Sequence, residues 1–124
     1  MFKDANAFSS FSVDNLEKAK EFYTNTLGLK VTEDKGIHWL HSADKYILIY
    51  PKENHIPATY TILNFSVNHL EMVMDKLSKL GVHFEHYDMP DLKTDNKGIF
   101  HTSGMKIAWF KDPAGNILSV LEQK

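Results

Sequence analysis

The chain has no cysteine in its 124 residues. Disulfides, thiolate metal centres and a cysteine nucleophile are excluded together. Nor is there an excess of charge of one sign, because 14 basic against 16 acidic residues leave a net charge of −2. That composition builds no basic face able to neutralise a phosphate backbone, so nucleic acid is not an expected partner. No apolar run approaches the roughly eighteen residues that a membrane span requires, and no charged-then-apolar leader ending in small residues opens the chain. The expectation is a cytoplasmic protein with no membrane partner. At 43% apolar and 24% charged residues, the rest of the composition is that of an ordinary globular protein.

What the sequence does contain is a repeat. Phe11-Ser12-Val13-Asp14-Asn15-Leu16-Glu17 returns as Phe65-Ser66-Val67-Asn68-His69-Leu70-Glu71, with five of seven residues identical. Each copy reads as a strand running into a helix, with Asp14 or Asn68 placed to cap free N–H groups and the Glu three positions on completing a capping box. A strand-to-helix junction is thus written twice. Modules of about 55 to 60 residues are marginal alone, so the two halves are expected to fuse into a single domain over 1–124, with module one at about 1–52, a linker at about 53–58 and module two at about 59–124.

Each half repeats one plan. Ala5 to Val13 alternates as a strand, and Leu16, Ala19, Phe22, Tyr23 and Leu27 recur at helical spacing up to Gly28, a residue suited to a left-handed C-cap. Three short β-prone runs follow, Leu29 to Glu33, Gly36 to His41 and Lys45 to Tyr50, and Pro51 to Pro57 reads as the linker. In the second half Tyr60 to Val67 is a strand, and Leu70, Val73, Met74, Leu77 and Leu80 mark a helix closed by Gly81. Val82 to Tyr87, Met105 to Lys111 and Ile117 to Glu122 are the next three strands, the last two joined by the turn Asp112-Pro113-Ala114-Gly115-Asn116. Asp88 to Gly104 is a long polar loop, a length that marks mobile or functional segments. The fold class is α+β, two βαβββ modules whose sheets are each covered by a helix on one face. The other faces are left to make a pocket.

Two segments carry a resemblance to a known family. Val13-Asp14-Asn15-Leu16-Glu17-Lys18-Ala19-Lys20-Glu21-Phe22-Tyr23 followed by Leu27-Gly28-Leu29, and Trp109-Phe110-Lys111-Asp112-Pro113-Ala114-Gly115-Asn116-Ile117-Leu118, resemble the two signature segments of the vicinal oxygen chelate superfamily. That family includes glyoxalases, bleomycin-resistance proteins and extradiol dioxygenases. The resemblance spans essentially the whole chain. It implies an open, cupped barrel-like sheet around a small-molecule cavity, and a homodimer.

The resemblance also implies where a divalent metal would be held, and those positions are occupied by Phe8, Leu48, Ile62 and Ser119. Phe, Leu and Ile offer no lone pair, and an isolated Ser hydroxyl is a poor ligand for zinc or nickel. A register slip of two brings Ser10, Tyr50 and Asn64 there instead, again without imidazole or carboxylate. The expectation is no metal and no cofactor. Among the seven histidines, His38 and His41 lie three apart on a strand and point to opposite faces, as do His83 and His86, while His55 and His69 fall in the linker and at a helix start. Only His38 and His101 are candidates for acid–base chemistry at the pocket, each against the plainer reading of a hydrogen-bonded structural histidine. No Ser sits in a Gly-x-Ser-x-Gly elbow.

Alternation assigns the pocket lining from the family's ligand positions: Phe8, Ser10, Tyr46, Leu48, Tyr50, Ile62, Asn64, Trp109 and Ser119 are the ligand-binding candidates. Phe11, Val13, Phe65, Val67, Ala108, Phe110, Leu118 and Val120 should face the helices. Such a lining suits a small hydrophobic or aromatic molecule stacked on Trp109, Phe8 or Tyr46 and oriented by Asn64 and Ser119; the alternative is that the aromatic rings fill the space they line. The first functional expectation is a metal-independent binding protein. The second is a lyase, isomerase or dioxygenase of the same superfamily, with or without a metal.

Overall fold

The computed structural model describes residues 1–124, and the chain divides into two compact units, Met1–Ile56 and Pro57–Lys124. The first unit runs β1 (Ser9–Val13), α1 (Leu16–Glu21), a π-helical turn (Phe22–Thr26), β2 (Lys30–Asp34), β3 (Ile37–Ser42) and β4 (Lys45–Pro51). Its strands form one sheet in the order β1-β4-β3-β2, with β1 parallel to β4 and the other pairs antiparallel. The second unit runs β5 (Thr61–Ser66), α2 (Leu70–Lys79), a small hairpin of β6 (Asp88–Met89) and β7 (Leu92–Lys93), then β8 (Ile99–His101), β9 (Met105–Lys111) and β10 (Ile117–Gln123). Its sheet has the order β5-β10-β9-β8, again with the first strand parallel to the last. The sequence repeat is therefore a repeat of topology, and the fold is α+β. No helix is long and apolar enough to cross a membrane.

Within each unit one sheet face packs against its helix. In the first, Val13, Ile47, Ile49 and Leu40 are buried with Ala19 and Tyr23 of the helix, and the Phe11 ring lies 6.1 Å from that of Tyr23. In the second, Ile99, Ala108, Phe110, Leu118 and Val120 are buried with Leu70, Met74 and Leu77 of α2. Each such aliphatic side chain contributes about 1.5–3 kcal/mol by leaving water, against about 1 kcal/mol net for a typical hydrogen bond. The apolar stripes thus fix which face of each sheet meets its helix, and alternation sends the intervening residues to the other face.

Five details depart from the sequence reading, the first being that Asp88 to Gly104, read as one long loop, holds the strands β6, β7 and β8. The helix caps sit one residue later than expected, because Asn15 accepts the Lys18 amide at 3.0 Å. At α2 the cap position is His69, which offers no side-chain bond; Glu122 of β10 accepts the Leu70 amide instead, at 2.8 Å. The first helix does not stay α-helical to Leu27, since its last turn widens so that the Leu27 amide reaches the Phe22 carbonyl at 3.0 Å. Gly28 at φ +73° then lets the Leu29 amide bond back to Tyr23, a left-handed step that suits glycine. Val82 to Tyr87 is not a ladder strand: the free edge of β9 is taken by β8, and only the Glu85 amide reaches that strand, at the Trp109 carbonyl. Finally, Leu80 ends α2 as its C-cap and is 57% exposed, so it adds nothing to the core.

Candidate functional site

The face of the first sheet turned away from α1 is ordered into three cross-strand rows by the strand register. Lys30, His41 and Tyr46 form the first row, with Phe8 just beyond the start of β1 at its end. Thr32, Trp39, Leu48 and Ser10 form the second, and Asp34, Ile37, Tyr50 and Ser12 the third. Phe8, Ser10, Tyr46, Leu48 and Tyr50 are thus brought onto one face. Phe8 and Tyr46 are more than half exposed, at 57% and 56%. The Phe8 ring meets Trp39 edge-on at 4.9 Å, and Tyr46 meets the His41 ring edge-on at 4.7 Å. Two polar pairs complete this face, Thr32 Oγ1 with His41 Nε2 at 3.0 Å and Ser12 Oγ with His55 Nδ1 at 2.6 Å.

The second sheet has a corresponding helix-distal face. Trp109, Ser119 and Asn64 lie side by side across β9, β10 and β5, with Phe100, Ile107, Leu121 and Ser66 in the next row. Ile62 takes no place in these rows: it falls at the bulge of β5, between Thr61 opposite Ile117 and Leu63 opposite Leu118. The Trp109 indole N–H donates to Thr61 Oγ1 at 3.0 Å, and its ring stands edge-on to Tyr87 at 5.5 Å. Ser119 is fully buried and donates its hydroxyl to Asn64 Oδ1, which leaves the exposed Asn64 as the polar group accessible at this position. Burial raises the Tyr87 hydroxyl above its ordinary pKa, and the neighbouring Glu85 charge raises it further.

The two histidines considered for acid–base chemistry stand elsewhere. His38 pairs across strands with Ile49 and Glu33 on the helix-facing side of the first sheet, where it is 4% exposed. Its Nε2 is 3.4 Å from Glu33 Oε1 and its buried Nδ1 has no hydrogen-bond partner. His101 lies on the same side of its strand as the buried Ile99, and its Nε2 bonds Asp95 Oδ2 at 2.8 Å. Burial pushes the Asp95 carboxyl up, but bonds from His101 and from the Ile99 and Lys97 amides outweigh it and hold the group below its ordinary value. Both histidines are therefore away from the rows that carry the other candidates.

A divalent metal at the positions implied by the sequence resemblance finds no donors that fit. Phe8, Leu48 and Ile62 present only carbon, and the Ser119 hydroxyl is buried and already bonded to Asn64. No group of three or more His, Asp or Glu side chains stands where it could hold a metal ion anywhere in the structure.

The sequence reading missed the β2 and β3 members of the first face, Lys30, Thr32, Asp34, Ile37, Trp39 and His41, and Phe100 of the second. Trp39 and His41 alternate with the buried His38 and Leu40, a pattern present in the sequence but not assigned to either face. The Asp112-Pro113-Ala114-Gly115-Asn116 signature is structural in its local role. Asp112 Oδ1 accepts the Ala114 and Asn116 amides, both at 2.9 Å, and Oδ2 accepts Asn116 Nδ2 at 3.0 Å. Gly115 sits at φ +85°, and a Cβ there would stand 3.2 Å from Pro57 Cγ.

Comparison with known proteins follows the same lines. No match is found among curated protein sequences. Solved structures align over nearly the full length: a glyoxalase family protein from Enterococcus faecalis at 22% identity, covering 100% of both chains with a TM-score of 0.71. TnmS3, an antibiotic binding protein from Streptomyces sp. CB03234, aligns at 21% identity over 98% of both chains with a TM-score of 0.69. Lactoylglutathione lyase from Agrobacterium tumefaciens aligns at 20% identity over 96% of this chain and 93% of the other, with a TM-score of 0.67. At these identities the likeness establishes the fold. The sequence family that matches directly covers residues 7–120, and on that match the chain belongs to the Glyoxalase/Bleomycin resistance protein/Dioxygenase superfamily.

Proposed function

We propose that this protein binds a small hydrophobic or aromatic molecule on the helix-distal face of its sheets, without a metal and without turning the molecule over. The observation that carries this reading is the first sheet's outer face, where Phe8, Trp39, Tyr46, Leu48 and Tyr50 leave aromatic and aliphatic surface in reach of solvent. Planar apolar ligands gain from such rings both by leaving water and by stacking or edge contact. Phe8, Leu48, Ile62 and Ser119 at the implied ligand positions support the metal-free half of the proposal, since none of the four supplies imidazole or carboxylate. In the second unit Trp109, held by Thr61, offers a fixed ring, and Asn64 offers an amide beside it. Antibiotic binding by TnmS3 is an activity found on this fold and is consistent with the reading.

The protein is further proposed to act as a homodimer. Exposed apolar residues on each unit support it, Phe8 and Ile56 on the first and Tyr60 and Met89 on the second. Light scattering on the purified chain tests that part, and a monomer at micromolar concentration overturns it. Elemental analysis after expression in medium containing zinc, nickel, manganese and iron tests the metal-free reading. One equivalent of any of these per chain would falsify it and favour the metal-dependent lyase or dioxygenase alternative. Ligand binding itself is read by quenching of the emission of Trp39 and Trp109 on titration with a panel of planar aromatic compounds.

A further inference from the structure

The rows on the first sheet differ in charge, and the difference points to the class of ligand. All 14 basic residues of the chain are lysines, and on this face the one lysine is Lys30, in the first row beside His41. Lys30 is exposed and forms no ion pair. The other lysines at this end of the unit are placed differently: Lys20 is bound to Glu33 at 2.8 Å, and Lys45 lies opposite Ser42 on the helix-facing side. No carboxylate occupies the first or second row; the only one on this face is Asp34, in the third row and at the far end of β2.

His41 adds a second polar group, a donor in one of its tautomers. Its Nε2 is engaged by Thr32 Oγ1 at 3.0 Å, and its Nδ1 has no protein partner. When the Thr32 hydroxyl donates to Nε2, the ring proton resides on Nδ1, so an N–H is offered beside the lysine ammonium. Next in the same row come the Tyr46 ring, 4.7 Å from that of His41, and then Phe8. A cation, an imidazole and two rings therefore follow one another across four adjacent strands, three strand spacings or roughly 14 Å.

We propose that the ligand of this face is a planar aromatic acid, its ring system lying over Tyr46, Trp39 and Leu48 and its carboxylate directed to Lys30 and His41. This rests on the binding reading given above and narrows it from any aromatic compound to an anionic one. A neutral ring would gain the apolar contacts alone, and a cationic one would be repelled at the only charged corner of the first two rows. An exposed lysine is worth a modest, salt-sensitive preference.

The test uses 2-naphthoate and 2-naphthamide, which share a ring system and differ in charge, titrated against the full chain by fluorescence and calorimetry. The expected result is that naphthoate binds about fivefold more tightly than naphthamide in low salt. The preference should disappear at about 1 M NaCl, where the screening length falls to about 3 Å. Lys30→Met should abolish the preference while leaving naphthamide binding in place. Lys45→Met, on the opposite face, should leave it intact, which separates a local effect from a change in overall charge. Equal binding of the two compounds, or an unchanged preference in Lys30→Met, overturns the anion inference but not the binding reading. Binding of neither compound by the folded protein overturns both.

Discussion

Asp112 allows the sharpest quantitative prediction, because it is the residue of the family signature whose local work is visible bond by bond. It is 5% exposed and accepts three hydrogen bonds from Ala114 and Asn116 within one turn. Replacement by Ala leaves the Asn116 amide and side-chain N–H groups without that acceptor at a residue only 2% exposed, and each buried donor left unsatisfied costs about 1–3 kcal/mol. The Ala114 amide is partly exposed and can turn to water. The expected loss for Asp112→Ala is therefore about 3 kcal/mol. With an unfolding entropy of about 2.1 cal/mol/K per residue, that lowers Tm by roughly 10 °C in a chain of this length. Asp112→Asn keeps an oxygen for both amides but sets its NH2 group against Asn116 Nδ2, so about 1 kcal/mol is expected. Thermal denaturation monitored by far-UV circular dichroism measures both. A midpoint for Asp112→Ala within about 2 °C of the parent, or a larger loss for Asn than for Ala, would refute the claim that these three bonds hold the turn.

Two further predictions rest on backbone and charge. Ala43 is held at φ +52° in the β3–β4 turn, where an L side chain costs about 1–2 kcal/mol and glycine returns about 0.5–1 kcal/mol of that as backbone entropy. Ala43→Gly should therefore stabilise the protein by about 0.5–1 kcal/mol, read as a raised urea midpoint; an unchanged or lowered midpoint would count against the strain. Glu122 accepts the Leu70 amide, which is the main reason its carboxyl titrates below its ordinary value, with Lys106 and His69 adding to the effect against partial desolvation. Because the folded value is the lower one, this contribution is complete above the ordinary carboxylate range and is lost as pH falls through the folded value. Glu122→Gln should flatten that acid limb as pH falls below the ordinary carboxylate range and speed hydrogen exchange at the Leu70 amide at neutral pH; an acid limb identical to the parent's would show the cap to be unimportant.

The plan of each unit was legible because it is written in local periodicity. Leu16, Ala19 and Tyr23 at helical spacing, Gly28 after them, and the alternation of Val13 with Ser12 or Phe110 with Trp109 each identify an element and its buried face within a few residues. The assignment failed where two segments compete for one edge, as with Val82 to Tyr87 and Ile99–His101 beside Met105–Lys111. Both are β-prone, and nothing within either segment states which will pair.

Local patterning along the chain was enough for the doubled βαβββ order, for the helix-facing stripe of each sheet, and for the lack of imidazole or carboxylate at the positions the family resemblance singles out. Tertiary structure alone decided the neighbours: that Glu122 caps a helix starting 52 residues earlier, that Ser119 donates to Asn64 across 55, that Ser12 meets His55 across 43, and that Lys30, His41 and Tyr46 share a row. Periodicity reports which way a side chain points relative to its own backbone. Which group it then meets depends on strand order and register, and those are set by the burial of many residues at once rather than by any segment read alone.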